Sequence, residues 1–388
     1  MPLPLYGDAQ VLRRDRHTRY PVRLRFASSM PMPQDAALAR APADLERAHK
    51  NGFDQAFLIG DANEFASTAS TFASAYVVPE RFDYLSDGDV IGIDPGTGRF
   101  RVHYRRASSH NSFLVTERCN HYCLMCSQPP KDVDDRWLLE EIRNTLPLVD
   151  RTTKTLGFTG GEPLLDWQQF IEVLGVCRDV LPNTAIHVLS NGRGFARKDI
   201  VDAWAELRHP DLMVGIPLYA AVDHVHDYVV QAKGAFDETL LGILKLKDRG
   251  ARVEVRIVLH AVTVVHLVHT CRWLSRNLPF VDHVALMGLE NTGFAIANDH
   301  LLWIDPLDYR DELSSSVEAL AAAGVNVSIY NLPLCVLRQE VRPFAVRSIS
   351  DWKNGYGPEC KGCTQQQYCA GMFTSGRPKL SRGIRAIA

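Results

Sequence analysis

This chain of 388 residues has little of what marks a secreted, membrane-spanning or nucleic-acid-binding protein. The formal net charge is only −2, so no basic field points to nucleic acid. No run of about 18 apolar residues offers a membrane span. The opening "MPLPLYGDAQVLRRDRHTRY" lacks the continuous apolar core of a signal peptide. A cytoplasmic protein is expected. Cysteine is scarce as well, nine in the whole chain, yet seven of the nine fall into two groups. In a reducing compartment clustered thiols bind metal or do chemistry more often than they form disulfides. Cys177 and Cys271 stand alone in apolar helical patterns and read as buried small hydrophobes.

Composition is otherwise that of a globular protein, with 46% hydrophobic and 23% charged residues. Three regions differ in pattern. Residues 1–107 predict a small β-rich N-terminal domain, because "YLSDGDVIGIDPGTGRFRVHYRR" sets turn residues between alternating apolar ones. The stretch "SSMPMPQDAALARAPADLERAHKNG" is Pro/Ala-rich, and the seven basic residues from Arg13 to Arg25 (counting His17) read as a solvated surface, or else a docking face. Residues 108–330 alternate strand-like and helical runs in six repeats, which predicts an α/β fold, a partial (β/α)6 TIM-like barrel with a parallel sheet. Residues 331–388 are a Cys-rich segment with little apolar periodicity, where metal is a plausible organiser, and a basic tail (Arg377, Lys379, Arg382, Arg385) expected to be disordered and solvated.

The first cysteine group, "TERCNHYCLMCSQPP", spaces Cys119, Cys123 and Cys126 as Cx3Cx2C. A short loop of this kind suits one face of a cubane iron–sulfur cluster, whose full ligand set is four thiolates; three leave one iron open to a ligand. The competing reading is a zinc knuckle completed by a distant residue, with His121 the nearest candidate. Two later strand ends bear on the choice. "TGGEP" supplies Gly160 and Gly161, against which a ligand can lie directly, and Glu162, which can accept from an ammonium. "SNG" supplies Ser190 and Asn191, able to bond sugar hydroxyls. In a parallel sheet such positions line the ligand crevice.

Taken in this order, the residues resemble the radical SAM superfamily over roughly 108 to 375. The resemblance implies that Cys119, Cys123 and Cys126 are the catalytic cysteines, holding a [4Fe–4S] cluster whose fourth iron is chelated by S-adenosylmethionine (SAM). It implies that Gly160, Gly161 and Glu162 meet the methionyl ammonium, and Ser190 and Asn191 the ribose or carboxylate. Met125 stands where the family usually has an aromatic residue near adenine. The implied chemistry is reductive cleavage of SAM to a 5′-deoxyadenosyl radical that takes a hydrogen atom from an unactivated carbon. An electron donor such as flavodoxin or ferredoxin is implied as a partner.

Cys335, Cys360, Cys363 and Cys369 read C-x24-C-x2-C-x5-C, a complete set for zinc or for iron–sulfur, which spacing does not separate. The C-x2-C-x5-C-x-G piece resembles a shortened form of the cysteine-rich extension that holds an auxiliary [4Fe–4S] cluster in peptide-modifying radical SAM enzymes. "LVTERCNHYCLMCSQPPK", preceded by "DGDVI" and "YRR", is similar to the His-Xaa-Ser system radical SAM maturases. That resemblance implies a peptide or small-protein substrate, modified after translation, and a partner maturase. Other readings are a radical SAM enzyme for a small molecule or nucleotide, and a non-catalytic zinc-binding adaptor.

Further residues are predicted near the mouth of the barrel. "DHVHDY" places His224, His226 and Asp227 in a polar substrate-side loop, with a metal pair as the alternative. His260, His266 and His269 read as substrate contacts or surface. Glu290 and Asn291 end the sixth strand, and Glu254 and Arg256 share one face of the fifth, one of them placed to reach the site.

Overall fold

Two β-sheets built on different patterns divide the computed structural model, which describes residues 3–347, 354–373 and 379–388. The first sheet uses β1 (Tyr6–Asp8), β2 (Gln10–Arg13), β3 (Tyr20–Phe26), β4 (Asp35–Ala39), β5 (Gln55–Ile59), β6 (Ser74–Val78), β7 (Val90–Ile93) and β8 (Arg99–Tyr104). Their spatial order is β1-β8-β7-β3-β4-β5-β6-β2. Strands β3 to β6 are parallel, so they need crossovers, and α1 (Pro42–Lys50) and α2 (Ala62–Ala69) supply two of them. Strands β4, β5 and β6 are buried at every position, the mark of a sheet covered on both faces. The region is β-rich, as the sequence predicts, but it is a mixed α/β layer. The Pro/Ala-rich stretch contains β4 and α1, whose Pro42 takes the first helical position, where no hydrogen bond is lost.

The basic stretch is largely consumed by internal pairing rather than left as an open basic face. Arg23 lies 2.8 Å from Asp35 and Arg25 lies 3.2 Å from Asp87. Arg19 stacks 4.4 Å over the Trp137 ring.

The second sheet is wholly parallel and strictly sequential: β9 (Asn111–Leu114), β10 (Thr155–Thr159), β11 (Ala185–Leu189), β12 (Leu212–Pro217), β13 (Arg252–Leu259), β14 (His283–Gly288) and β15 (Val327–Tyr330). Its crossovers are α3 (Trp137–Thr145), α4 (Trp167–Val180), α5 (Lys198–Glu206), α6 (Asp223–Val230) with α7 (Ala235–Asp248), α8 (Ala261–Val264) with α9 (Leu267–Asn277), and α10 (Phe294–Ala297), α11 (Asp299–Leu302) and α12 (Arg310–Ala322). Pairing of each strand with its sequence neighbours makes an open, singly wound partial barrel. The sequence predicts six strand–helix repeats, with "YNLPLC" ending a further strand; β15 is that strand, the seventh of the sheet. Only four residues long, it is followed at once by "NLPLC", so its apolar alternation is short.

Cys177 and Cys271 are fully buried in the large core between this sheet and its helices. Beyond β15 the chain forms short turns and the hairpin β16 (Asn354–Gly355) with β17 (Met372–Phe373). The tail departs from expectation. Lys379 pairs with Asp299, and Arg382 with Asp305 and Asp308, because three carboxylates face it. Arg377 lies outside the described residues. Among the described residues, no helix is long and apolar enough to cross a membrane.

Helix α3 couples the two sheets through one buried carboxylate. His103 Nε2 of β8 lies 3.1 Å from Glu141 Oε2, and Arg19 lies 3.6 Å from Oε1. Burial opposes ionisation of Glu141, yet the neighbouring His103 and Arg19 hold its carboxyl below the usual range. A carboxyl depressed in the folded state adds stability above its unfolded pKa and loses it as pH falls through the folded one. Glu141→Gln is expected to lower the unfolding free energy by about 2 kcal/mol near pH 7, less than a fully buried pair because Arg19 is partly exposed. Urea titrations should show that difference shrinking as pH drops below about 4. A difference that grows at low pH contradicts the assignment.

Candidate functional site

The loop carrying the first three cysteines leaves β9 and is pinned where it starts. Asp135, just before α3, is buried and accepts from Thr116 Oγ1 at 3.0 Å and from Glu117 N at 2.5 Å. Arg118 Nε donates to the same carboxylate at 3.0 Å, and its other arm pairs with Asp166 beyond the "TGGEP" turn. Two contacts from the far side hold the loop's end: Phe294 N donates to Cys126 O at 2.8 Å, and Asn298 Nδ2 to Leu124 O at 2.8 Å.

The "TGGEP" turn is built to press against this loop. Gly161 N donates to Thr116 O at 2.7 Å, and Glu162 N to Arg118 O at 2.8 Å. A Cβ on Gly161 would sit 1.8 Å from Arg118 O, so no other residue fits without moving the backbone. Gly160, at φ +138°, would set a Cβ 2.4 Å from Thr116 O.

Glu162 is cast differently from an ammonium acceptor facing the cavity. Its carboxylate is buried and accepts from Leu164 N at 3.0 Å, Ser190 Oγ at 2.8 Å and Asn191 N at 2.6 Å. Burial raises its carboxyl above the usual range, against three donors that favour the anion. The side chain thus braces the end of β10 to the end of β11. From there Asn191 Nδ2 donates to Asn120 Oδ1 of the cysteine loop at 2.6 Å, closing a ring of three strand-end loops.

These loops enclose a cavity of about 350 Å³ at the C-terminal ends of the parallel strands. Cys119, Cys123, Met125, Cys126, Gly160, Gly161, Ser190 and Asn191 all line it. Burial pushes the Cys119 thiol up to about 11 and that of Cys123 higher still, with neighbouring cysteine charges adding to both. His121 also faces the cavity. Its ring is buried, neither nitrogen has a hydrogen-bond partner among the described residues, and burial lowers its pKa to about 3. Met125 packs with Tyr219 and Val258 on the apolar wall.

The floor of the cavity carries a charge network that the strand pattern only hinted at. Arg256 lines the cavity, and its Nη1 donates to Glu254 Oε1 at 2.7 Å, one layer deeper on β13. Glu254 also lies 2.7 Å from His283 Nδ1 and 3.4 Å from His187 Nε2, while His283 Nε2 reaches Ser328 Oγ at 2.9 Å. Burial works against ionisation of Glu254, but His187, His283 and Arg256 together hold its carboxyl far below the usual range. Such charges at alternate positions of an interior strand are the signal that marks them as lumen residues.

Several predicted residues lie elsewhere. His224 points to solvent, and His226 is buried behind Tyr219, its Nδ1 accepting from Tyr219 N at 3.2 Å. Asp227 accepts from Gly234 N and Phe236 N at the start of α7. "DHVHDY" is therefore helix α6, neither a polar loop nor a metal pair, because its apolar valines pull one face into the core. His260 is buried, His266 half-buried and His269 exposed, and none lines the cavity. Glu290 does line it, whereas Asn291 borders a neighbouring depression. Arg118, Asn120, Asp135 and Tyr219 belong to the site without having been singled out in the sequence; isolated charged or aromatic residues carry no spacing signal.

Cys335, Cys360, Cys363 and Cys369 line one small second cavity with Leu334, Tyr356 and Met372. Cys369 Sγ accepts from Leu334 N and Gly371 N, both at 3.3 Å, and Tyr356 Oη donates to Cys369 O at 2.8 Å. Among the described residues no three His, Cys, Asp or Glu side chains close on a single point as ligands of one metal ion. Glu162→Gln would oppose an amide NH2 to one of the donors now satisfied. It is expected to cost about 2 kcal/mol of stability in a urea titration of the metal-free protein. A loss under about 0.5 kcal/mol contradicts the bracing role.

Residues 113–274 match the family model of the Radical SAM superfamily. A comparison with curated protein sequences finds no match. Among solved structures, Streptococcus suis SuiB bound to S-adenosylmethionine aligns at TM-score 0.44 and 13% identity, over 56% of this chain and 49% of that one. SuiB bound to its precursor peptide SuiA aligns at 0.43 and 13%, over 56% and 48%. The protein anSMEcpe with bound AdoMet aligns at 0.44 and 16%, over 56% and 62%. The chain thus matches only about half the length of SuiB. The matched residues 113–274, less than half of the chain, carry the three cysteines and both strand-end turns.

Proposed function

We propose that this protein is a radical SAM maturase acting on a peptide or small protein. Cys119, Cys123 and Cys126 would hold a [4Fe–4S] cluster, with SAM beside it. The observation that carries this reading is a shared cavity: three cysteines of one loop, two strand-end glycines and "SN" face a single space at the C-terminal ends of parallel strands. When bound, the cluster and SAM supply hydrogen-atom abstraction from an unactivated carbon.

The chain's own residues bind, orient and exclude water. Gly160 and Gly161 open the backbone to a methionyl ammonium, with carbonyl oxygens as acceptors. Ser190 and Asn191 offer a hydroxyl and an amide to the ribose or carboxylate. Met125 and Tyr219 give an apolar wall for adenine. Glu162 keeps the second and third strand ends in register, so its part is positioning. Arg256, fixed by Glu254, presents a guanidinium to whatever enters deepest.

Cavity size favours a peptide. About 350 Å³ lies at the low end for ligand pockets, so one cosubstrate leaves little enclosed room. A second reactant then reaches in from the mouth, as a side chain on a peptide can. Cys335, Cys360, Cys363 and Cys369 would hold one auxiliary [4Fe–4S] cluster, since backbone N–H groups already point at Cys369 Sγ. Nine free thiols fit a reducing cytoplasm and an external electron donor such as a flavodoxin or ferredoxin.

The test is anaerobic incubation of iron–sulfur-reconstituted protein with SAM, a reductant and peptides encoded beside its gene. Formation of 5′-deoxyadenosine and a mass change on a peptide are expected, and Cys126→Ala should reduce both at least about 100-fold, the scale of losing an essential reacting group. Iron should stand at about eight per chain and fall to about four in Cys126→Ala and, separately, in Cys363→Ala. Zinc in place of iron at the first site overturns the proposal.

A further inference from the structure

The C-terminal residues 379–388 are tied down at one end and reach the second cysteine cavity with the other. Lys379 pairs with Asp299 and lies 5.5 Å from the Trp303 ring centroid. Ser381 Oγ donates to Asp305 Oδ1 at 2.5 Å, and Arg382 N to Asp305 Oδ2 at 3.0 Å. The Arg382 guanidinium spans Asp305, at 3.2 Å, and Asp308. These contacts set the chain's direction, and the last residues then turn inward. Ile384 and Ile387 pack against the main core, and Ile384, Arg385 and Ile387 form part of the wall around the four cysteines.

At that wall the tail supplies polar contacts as well as cover. Ile387 N donates to Cys363 Sγ at 3.4 Å, and Arg385 stands beside Cys335 in the same wall. Ile387 O in turn accepts from Thr364 N at 3.0 Å and from Thr364 Oγ1 at 3.1 Å, locking the tail to the loop that carries Cys363. A solvated basic tail has no reason to place an amide donor on a cysteine sulfur and two isoleucines around it. N–H groups aimed at sulfur stabilise its thiolate, and apolar side chains around a metal site control access of water.

We infer that residues 379–388 are a strap that completes the second metal site, shielding it with Ile384 and Ile387 and donating the backbone N–H of Ile387 to Cys363. This rests on the reading of that site as metal-loaded, and holds whether the metal is iron or zinc. Lys379 and Arg382 are the anchors; Ile387 is the positioning residue.

The experiment compares reconstituted full-length protein, a form ending at residue 378, and the full-length double variant Lys379→Ala/Arg382→Ala, which keeps the strap but cuts its anchors. Each is challenged anaerobically with excess EDTA, and metal loss is followed by absorbance and metal analysis, with Cys363→Ala marking the share that belongs to the second site. Truncation is expected to speed metal loss from the second site at least about tenfold and the double variant several-fold, the range found when groups supporting metal ligands are removed. Metal at the first site should leave at the full-length rate, which also reports that the shortened chain is folded. Ile387→Pro, which deletes one N–H donor, should change the reduction potential of an iron-loaded second site. Second-site release within twofold of full length in both the truncated and the double-variant protein overturns the strap and leaves the metal assignment standing. Equal acceleration at both sites overturns it too, since the tail then acts on general stability. Full-length metal content insensitive to Cys363→Ala overturns the metal assignment and the strap together.

Discussion

One buried carboxylate decides whether the three strand-end loops form a site. Glu162 is buried, so its carboxylate must be met by protein donors, and those that meet it come from its own turn and from the loop that ends β11. Meeting that requirement fixes the distance between "TGGEP" and "SNG". Asn191 extends the constraint to Asn120, and Gly161 brings the turn into backbone contact with Arg118. The cysteine loop, which has no regular structure of its own, is therefore shaped from outside. Asp135 holds its start, Phe294 and Asn298 its end, and the glycine turn its flank.

The same logic runs through the rest of the molecule, where buried or half-buried charges tie elements that hydrophobic packing alone would leave free to slide. Glu141 fastens α3 to the first sheet, Glu254 gathers three strands under the cavity floor, and Asp305 catches the returning tail. Each sits with at least one partner of opposite charge, as burial of an ion requires. The depression beneath the tail shares Leu289 and Asn331 with the first cavity and Gly371 and Met372 with the second, so the strap runs between the two cysteine sites.

Much of this was legible in the sequence where chemistry repeats at short range. Cx3Cx2C, "GGE" and "SN" announce themselves because the residues that must meet a ligand are adjacent along the chain. Alternation of strand and helix gave the parallel sheet for the same reason. What the sequence hid is what depends on distant residues. The role of Glu162 is set by donors just past β11, 28 and 29 positions away, and nothing local separates a brace from an ammonium acceptor. The basic tail reads as solvated because its carboxylate partners lie some 70 to 80 positions upstream. "DHVHDY" misleads in the opposite sense: its histidines suggest a site, while its valines dictate a helix with one buried face.

The central claim is that the first cavity holds a cluster with one iron open to SAM. Electron paramagnetic resonance of the dithionite-reduced Cys363→Ala protein, which keeps the first site alone, tests it directly. The account predicts the signal of a reduced [4Fe–4S] cluster whose spectrum changes on addition of SAM. A spectrum indifferent to SAM, or no iron-based signal in protein that has bound metal, would contradict it.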